Sequence, residues 1–162
     1  HLRIFRSAGI YGNHASALHT VYRKGLPHST IDSNDFTNRI HIQDLSAAIR
    51  ASMLLHDKQQ PDYRVYSCAD DCPESRAVVL HHAAKLLQSI GVQLAAPSSR
   101  PPNDSARDRR RSKKRVDNQR MIDELLPELL YPTYKEGLDA ILNEKSNPWW
   151  LIMAPDRPTS DQ

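Results

Sequence analysis

The segment Asn38-Arg39-Ile40-His41-Ile42-Gln43-Asp44-Leu45 constrains the fold more than any other part of the chain. Ile40 and Ile42 fall on one side of an extended backbone and Arg39 and His41 on the other, the period of two of a half-buried strand. Asp44 then stands where a helix N-cap belongs. It precedes the apolar series Leu45, Ala48, Ile49, Ser52 and Met53, which predicts a helix over residues 45–56. A strand running straight into a helix is the step from which α/β folds are built.

The flanking segments repeat that grammar. Leu2 to Phe5 is a short β run leading into Ala8-Gly9-Ile10-Tyr11-Gly12, where two close glycines mark a turn with backbone passing near something else. A helix with Leu18, Val21 and Tyr22 on one side follows. Residues 25–37 are polar and read as a loop, and Gln59 to Asp62 as a linker. Tyr63 to Ser67 is a second clear strand, with Val65 expected inward.

Past the turn at 69–74, Ser75 caps the clearest helix. Its expected apolar face is Val78, Val79, Ala83, Leu86, Leu87 and Ile90, with Gly91 as the stop. Asp117 or Asn118 caps a short helix carrying Met121, Ile122, Leu125 and Leu126. Thr133 and Glu136 form a capping box for a last helix with Leu138, Ile141 and Leu142. Strands alternating with helices imply an α/β class with parallel strands. Two or three strands make a thin sheet, and parallel strands need cover on both faces. The chain therefore reads as part of a larger fold.

Composition narrows the function classes. The 162 residues suffice for one domain, yet the hydrophobic share is 39%, with eleven prolines and five glycines. No stretch approaches the roughly 20 apolar residues of a membrane span, so no membrane partner is expected. Two cysteines, Cys68 and Cys72, are too few for a secreted disulfide framework, and a cytoplasmic setting is the default expectation. The net charge of +3 hides an asymmetry. Residues 100–115 hold eight Lys/Arg against two Asp, a balance of +6 that leaves −3 for the rest.

Five segments in order resemble one family, the NAD-dependent epimerase/dehydratases among the extended short-chain dehydrogenases. Arg6-Ser7-Ala8-Gly9-Ile10-Tyr11-Gly12 is similar to the family's R-P-A-G-I-Y-G, and Arg39 to Leu45 to its R-I-H-V-x-D-L. Val65 to Ser75 resembles V-Y-N-V-A-D-D-x-P-x-S, and Lys113 to Asn118 resembles N-K-R-V-x-N. Tyr131 to Leu138 resembles Y-P-T-Y-R-E-G-L. These matches lie in the C-terminal half of such enzymes. The resemblance implies a partial Rossmann-like parallel sheet with flanking helices over residues 1–142. A flexible basic loop at 95–112 lies within it, and an irregular tail follows at 143–162.

The resemblance also implies NAD or NADP as cofactor, a nucleotide sugar or similar small molecule as substrate, and an N-terminal half or a second copy as partner. That N-terminal half would bring the Gly-rich pyrophosphate turn and a Tyr-x-x-x-Lys pair. Without them the chain is expected not to be catalytically competent alone. The alternative is a truncated relative acting as a non-catalytic binding or assembly module.

Site candidates follow from the same matches. Ala8, Gly9, Ile10 and Tyr11 match the family loop beside the nicotinamide. Arg39, on the outward strand position, and Arg115, in the N-K-R-V-x-N-like segment, are candidate substrate contacts. Arg39 also reads as a strand arginine with a structural partner. The family's phosphate-gripping arginine falls near Thr37, so that role is not carried over.

No catalytic residue is assigned. Tyr131 and Lys135 have the right spacing, but Pro132 drives Tyr131 out of the α region and Thr133 caps a helix that begins after it. No metal site is assigned, because Cys68 and Cys72 lack zinc-knuckle spacing. Cys68 is expected in the core and His82 packed on a helix face. The basic run Arg107 to Arg115 reads first as a solvated insertion loop, second as a phosphate contact and third as a nucleic-acid contact, since no aromatic residues interleave it. The apolar patch Trp149 to Met153 lies beyond the family match.

Overall fold

A computed structural model describes residues 2–26, 36–55, 63–94 and 115–144. The basic loop at 95–112, Arg107 to Lys114 of the basic run, and the Trp149 to Met153 patch lie outside the described residues. So do Gln59 to Asp62 and all but two residues of the tail at 143–162.

The elements are β1 (Leu2–Ser7), β2 (Gly9–Tyr11), α1 (Ala17–Lys24), β3 (Phe36–Thr37), β4 (Arg39–His41), α2 (Ile42–Leu54), β5 (Tyr63–Cys68), β6 (Glu74–Ser75), α3 (Arg76–Ser89), α4 (Gln119–Glu124) and α5 (Tyr134–Asn143). Strands β1 and β5 run parallel, from Leu2 opposite Tyr63 to Ser7 opposite Cys68. Strands β2 and β4 also run parallel, with Gly9 opposite Arg39 and Tyr11 opposite His41. The third pair, β3 with β6, is antiparallel. The result is a mixed α/β chain with short parallel pairs and flanking helices, as a partial Rossmann-like fold requires. No described helix is long and apolar enough to cross a membrane.

Two apolar clusters hold these elements. One joins Leu18 and Val21 of α1, Leu80, Ala83 and Leu87 of α3, and Leu138 and Ile141 of α5, with Tyr11 inserted among them. The other packs Ile40, Leu45, Ala48, Tyr66 and Cys68 against Met121 and Leu125. Each fully buried leucine or isoleucine contributes about 1.5–3 kcal/mol.

Several local signals act as the sequence suggests. Ser75 Oγ accepts from Val78 N at 3.3 Å and caps α3. Thr133 and Glu136 close a complete capping box on α5. Gly91, with φ 80°, takes the left-handed conformation just past α3.

Other expectations are corrected. Asp44 is not the N-cap of α2. The helix begins at Ile42, and His41 caps it by accepting from Gln43 N at 3.3 Å. Asp44 lies in the first turn and is buried, because its carboxylate answers another segment. Nor does β4 alternate, since Arg39, Ile40 and His41 are all buried while Ile42 is 43% exposed. Both faces of so short a strand meet protein, so no period of two survives.

On α3 the buried face is Ala77, Val79, Leu80, Ala83, Ala84 and Leu87, while Val78 and Ile90 are exposed. The face that meets α1 and α5 is turned by about one residue, so Leu80 and Ala84 join Val79, Ala83 and Leu87 in the cluster. On β5, Tyr66 and Cys68 point inward instead of Val65, because they meet Ile40 and Met121. Finally, residues 36 and 37 of the expected loop form β3, which exists through its pairing with Glu74 and Ser75.

Candidate functional site

The backbone after β1 is held on both sides. Ala8 N donates to Cys68 O at 2.9 Å, and Gly9 N donates to Asn38 O at 3.1 Å. A Cβ at Gly9 would sit 3.3 Å from Asn38 O, a tight contact that would shift β2 against β4 by a few tenths of an ångström. Gly9 and Ile10 are exposed, and Tyr11 turns inward. These residues form one wall of a cavity of about 630 Å³, which opens just past the carboxyl end of β1. Thr37, Asn38 and Arg39 form a second wall, and the turn at 14–16 with α1, α3 and α5 supplies the rest.

Arg39 is buried in that wall and its donors are largely engaged. Nη1 donates to Cys72 O at 3.3 Å, and Nη2 donates to Glu74 O at 3.1 Å and to Thr37 Oγ1. The guanidinium carbon also lies 5.3 Å from the centroid of the Tyr134 ring. Arg39 thus ties β4 to the 72–74 turn and to β3 while edging the cavity. Arg115 stands elsewhere. It is exposed, with its guanidinium 4.7 Å from the Phe36 ring centroid, and it is not among the residues lining the cavity.

Behind the wall is a buried polar layer. The Tyr11 ring meets His41 edge-on at 5.1 Å, and His41 in turn lies 4.1 Å from the Tyr131 ring. Burial, then the charge of Asp70, pushes the Tyr11 phenol well above its usual range. Burial lowers the His41 imidazole and keeps it neutral. Asp70 is pushed up to about 7 by burial, with Arg39 opposing. Its Oδ1 accepts from Cys72 N, while Oδ2 has no hydrogen-bond partner among the described residues.

Asp44 holds the outer edge of this layer. Its Oδ1 accepts from Leu130 N at 2.7 Å and its Oδ2 from Tyr131 N at 3.1 Å. That clamp sets Tyr131 against His41. Tyr131 precedes α5, whereas Lys135 lies exposed within it, so the two do not share a helical turn. Cys68 and Cys72 are both free thiols. Cys68 is buried in β5, and burial pushes its thiol up to about 11.

The structure adds residues that the sequence reading does not single out. Arg23 and Lys24 of α1 and Arg76 of α3 line the same cavity as Arg39, and no carboxylate joins them among the described lining residues. Ser16 and His19, also in the wall, are joined by a 2.9 Å hydrogen bond between Oγ and Nδ1. Burial and then Arg23 lower the His19 imidazole, so the pair presents neutral hydrogen-bonding groups. Ser16 and His19 stand three residues apart at the start of α1, the spacing that brings two side chains together on one helix face. Nothing local marks Arg23, Lys24 and Arg76, which converge only through packing of α1 on α3.

Parallel strands with a cavity beyond the carboxyl end of one of them define the ligand-binding side of a Rossmann-type α/β protein. Known structures make the class more specific. The chain is similar to a conserved protein of unknown function from Silicibacter pomeroyi, with TM-score 0.64 and 28% identity over 86% of this chain and 48% of that one. It is also similar to a protein provisionally assigned as an NAD-dependent epimerase/dehydratase from Methylobacillus flagellatus. Here the TM-score is 0.61 and the identity 26%, over 86% of this chain and 46% of that one. The resemblance to the epimerase/dehydratase family therefore holds in three dimensions as well as along the sequence. The chain spans about half the length of these solved structures. No protein-family profile matches it, and no curated protein does.

Proposed function

We propose that this chain forms the substrate-side portion of an NAD(P)-dependent oxidoreductase of the nucleotide-sugar epimerase/dehydratase kind. The observation that carries the reading is the cavity past the carboxyl end of β1, with Gly9, Ile10 and Tyr11 on one wall and Thr37 to Arg39 on the other. In open parallel sheets this is where ligands bind.

The described residues fit one part of such a cofactor. Gly9 and Ile10 offer an exposed strip of backbone and apolar side chain against which a flat ring can lie. The sequence carries no Gly-rich turn for a pyrophosphate, so that contact would come from the other half of a complete enzyme. When bound, a nicotinamide supplies hydride acceptance and donation. The task of this chain is orientation. Cavity cations hold the anionic part of the substrate, and the Ser16–His19 pair and Asn38 offer hydrogen bonds to its hydroxyls. Alone, the chain binds such a substrate without turning it over.

Thermal unfolding in a panel of nucleotide sugars tests this. Ligand at one hundred times its Kd stabilises by about 2.7 kcal/mol, a shift of several degrees for a chain of this size. The expected result is a concentration-dependent rise in Tm with at least one member of the panel and no reduction of NAD or NADP. No shift at millimolar ligand, or turnover by the chain alone, overturns the reading.

A further inference from the structure

Arg39 and Asp70 are backbone neighbours, since Asp70 N donates to Arg39 O at 2.6 Å just past the end of β5. Their side chains meet on one residue of the turn that follows. Asp70 Oδ1 accepts from Cys72 N at 3.3 Å, and Cys72 O accepts from Arg39 Nη1 at 3.3 Å. Both residues are more than nine-tenths buried.

No described hydrogen bond or ion pair joins the guanidinium to the carboxyl. Arg39 spends its donors on three neutral acceptors, Cys72 O, Glu74 O and Thr37 Oγ1. Asp70 Oδ2 has no partner among the described residues. A buried cation held by neutral groups and a buried carboxyl with an idle oxygen stand one backbone hydrogen bond apart. They complement each other only when the carboxyl is ionised.

Asp70 is faced by Arg39 on β4, Tyr11 on β2, Asp44 on α2, Asp71 and Cys72 in its own turn, and Tyr134 on α5. Among these described groups Arg39 is the one cation. Burial raises both phenols, so Tyr11 and Tyr134 keep their protons. The Tyr11 hydroxyl is a neutral donor beside the site, and the Asp44 carboxylate is engaged by the amides of Leu130 and Tyr131. Arg39 is therefore the counter-charge within reach of an ionised Asp70. Burial holds the Asp70 proton up to about pH 7, which puts the change of state in the neutral range.

We propose that Asp70 is a protonation-dependent positioning residue for the cavity, acting through Arg39. When neutral, Asp70 leaves the guanidinium on the 72–74 turn and Thr37, where it edges the cavity. When ionised, it draws the guanidinium inward, off Thr37 and Glu74 O, and cancels its charge. The step moves one proton from Asp70 to solvent and breaks no other covalent bond. Its effect on ligands rests on the cavity being the ligand site. An anionic ligand then meets a looser second wall and one cation fewer, so it binds the neutral form more tightly.

Chemical shifts of the full 162-residue chain, followed from about pH 5 to about pH 9, test this. The Asp70 carboxyl carbon, the Arg39 side-chain Nε and the Thr37 and Glu74 amides should move together, with a midpoint at about 7. Asp70→Asn should remove the step from Arg39 and Thr37. Thr37→Val deletes one acceptor of Arg39 and makes the inward state easier to reach, so its midpoint should fall by about half a unit. That variant decides the matter even where Asp70→Asn does not fold. An Asp70 titration that leaves the Arg39 side chain unmoved overturns the proposal. So does an Arg39 step that persists in Asp70→Asn, or an unmoved midpoint in Thr37→Val.

The probe for the cavity is the nucleotide sugar with the largest Tm shift, whose phosphodiester charge is constant over the neutral range. It should bind about threefold more weakly at about pH 8 than at about pH 6, and should raise the Asp70 midpoint when bound. Affinity independent of pH overturns the link between Asp70 and the cavity. Failure of every nucleotide sugar to bind overturns the substrate reading, and the chemical shifts of the unliganded chain still decide the Asp70–Arg39 step. The two ideas thus fail separately.

Discussion

Replacing Gly137 by alanine sets helix propensity against packing at one atom. Gly137 is a buried residue of α5, in the first turns after the Thr133 cap, and its φ is not positive. In an exposed helix interior, Gly→Ala stabilises by about 0.8–1 kcal/mol. Here a Cβ would overlap Tyr11 Oη and lie 2.8 Å from both Cε2 and Cζ of that ring. The ring cannot retreat freely. His41 meets it at 5.1 Å, and Leu18, Val21 and Leu138 belong to the same cluster. Overpacking of this kind costs about 1–3 kcal/mol. The expected net effect is a loss of about 1 kcal/mol where propensity alone calls for a gain.

The hydroxyl offers an internal control. Tyr11 Oη is buried without a hydrogen-bond partner among the described residues, so Tyr11→Phe should be neutral or stabilising by about 1 kcal/mol. In the Tyr11→Phe background the worst overlap is gone and the ring contacts remain, so Gly137→Ala should cost less than in the parent. Urea unfolding of the four chains gives the coupling energy, expected near about 1 kcal/mol. A Gly137→Ala chain more stable than the parent, or additive effects of the two changes, would refute the claim that the missing Cβ exists to seat Tyr11.

Other expectations follow from the same layer. Asp44→Ala leaves the amides of Leu130 and Tyr131 without their carboxylate, and urea unfolding should register a loss of about 2 kcal/mol. A change within about 0.5 kcal/mol would return Asp44 to the minor role of a helix-end charge. Asp70 keeps its proton up to about pH 7 in the folded chain against a usual 3.8, so the folded state binds the extra proton between those values. Stability should therefore fall as pH rises from about 4 to about 7. Asp70→Asn should flatten that slope and be the more stable chain at about pH 8. An unchanged slope counts against a protonated Asp70. Thr133→Ala dismantles the capping box of α5 and should lower stability by about 1 kcal/mol, measured the same way; no loss would make the box ornamental.

What the sequence reveals is local, and what it conceals is distant. Ser75, Thr133 with Glu136, and Gly91 act through neighbours a turn away or less, and each stands where the pattern puts it. The role of Asp44 is hidden because its partners, Leu130 and Tyr131, are 86 and 87 residues away. Strand β3 is equally hidden, because Phe36 and Thr37 owe their extended form to Glu74 and Ser75.

On α3 the pattern finds Val79, Ala83 and Leu87 but misplaces Val78 and Ile90, since packing against α1 and α5 takes Leu80 and Ala84 instead. The Gly9 to Tyr11 wall is legible, because its glycines and its resemblance sit in one short segment. The cations opposite it are not. Arg23, Lys24 and Arg76 come from two helices separated by β3, β4, α2, β5 and β6, and only their packing brings them to one cavity.

If the cavity between Gly9–Tyr11 and the α1–α3 cations is a ligand site, a ligand must touch both of its walls. Amide chemical shifts of the chain, recorded during titration with a nucleotide sugar, test it most directly. Perturbations should concentrate on Gly9, Ile10, Asn38, Arg39 and Arg76 and saturate together. Shifts centred away from these residues, or no saturable shifts at all, would contradict it.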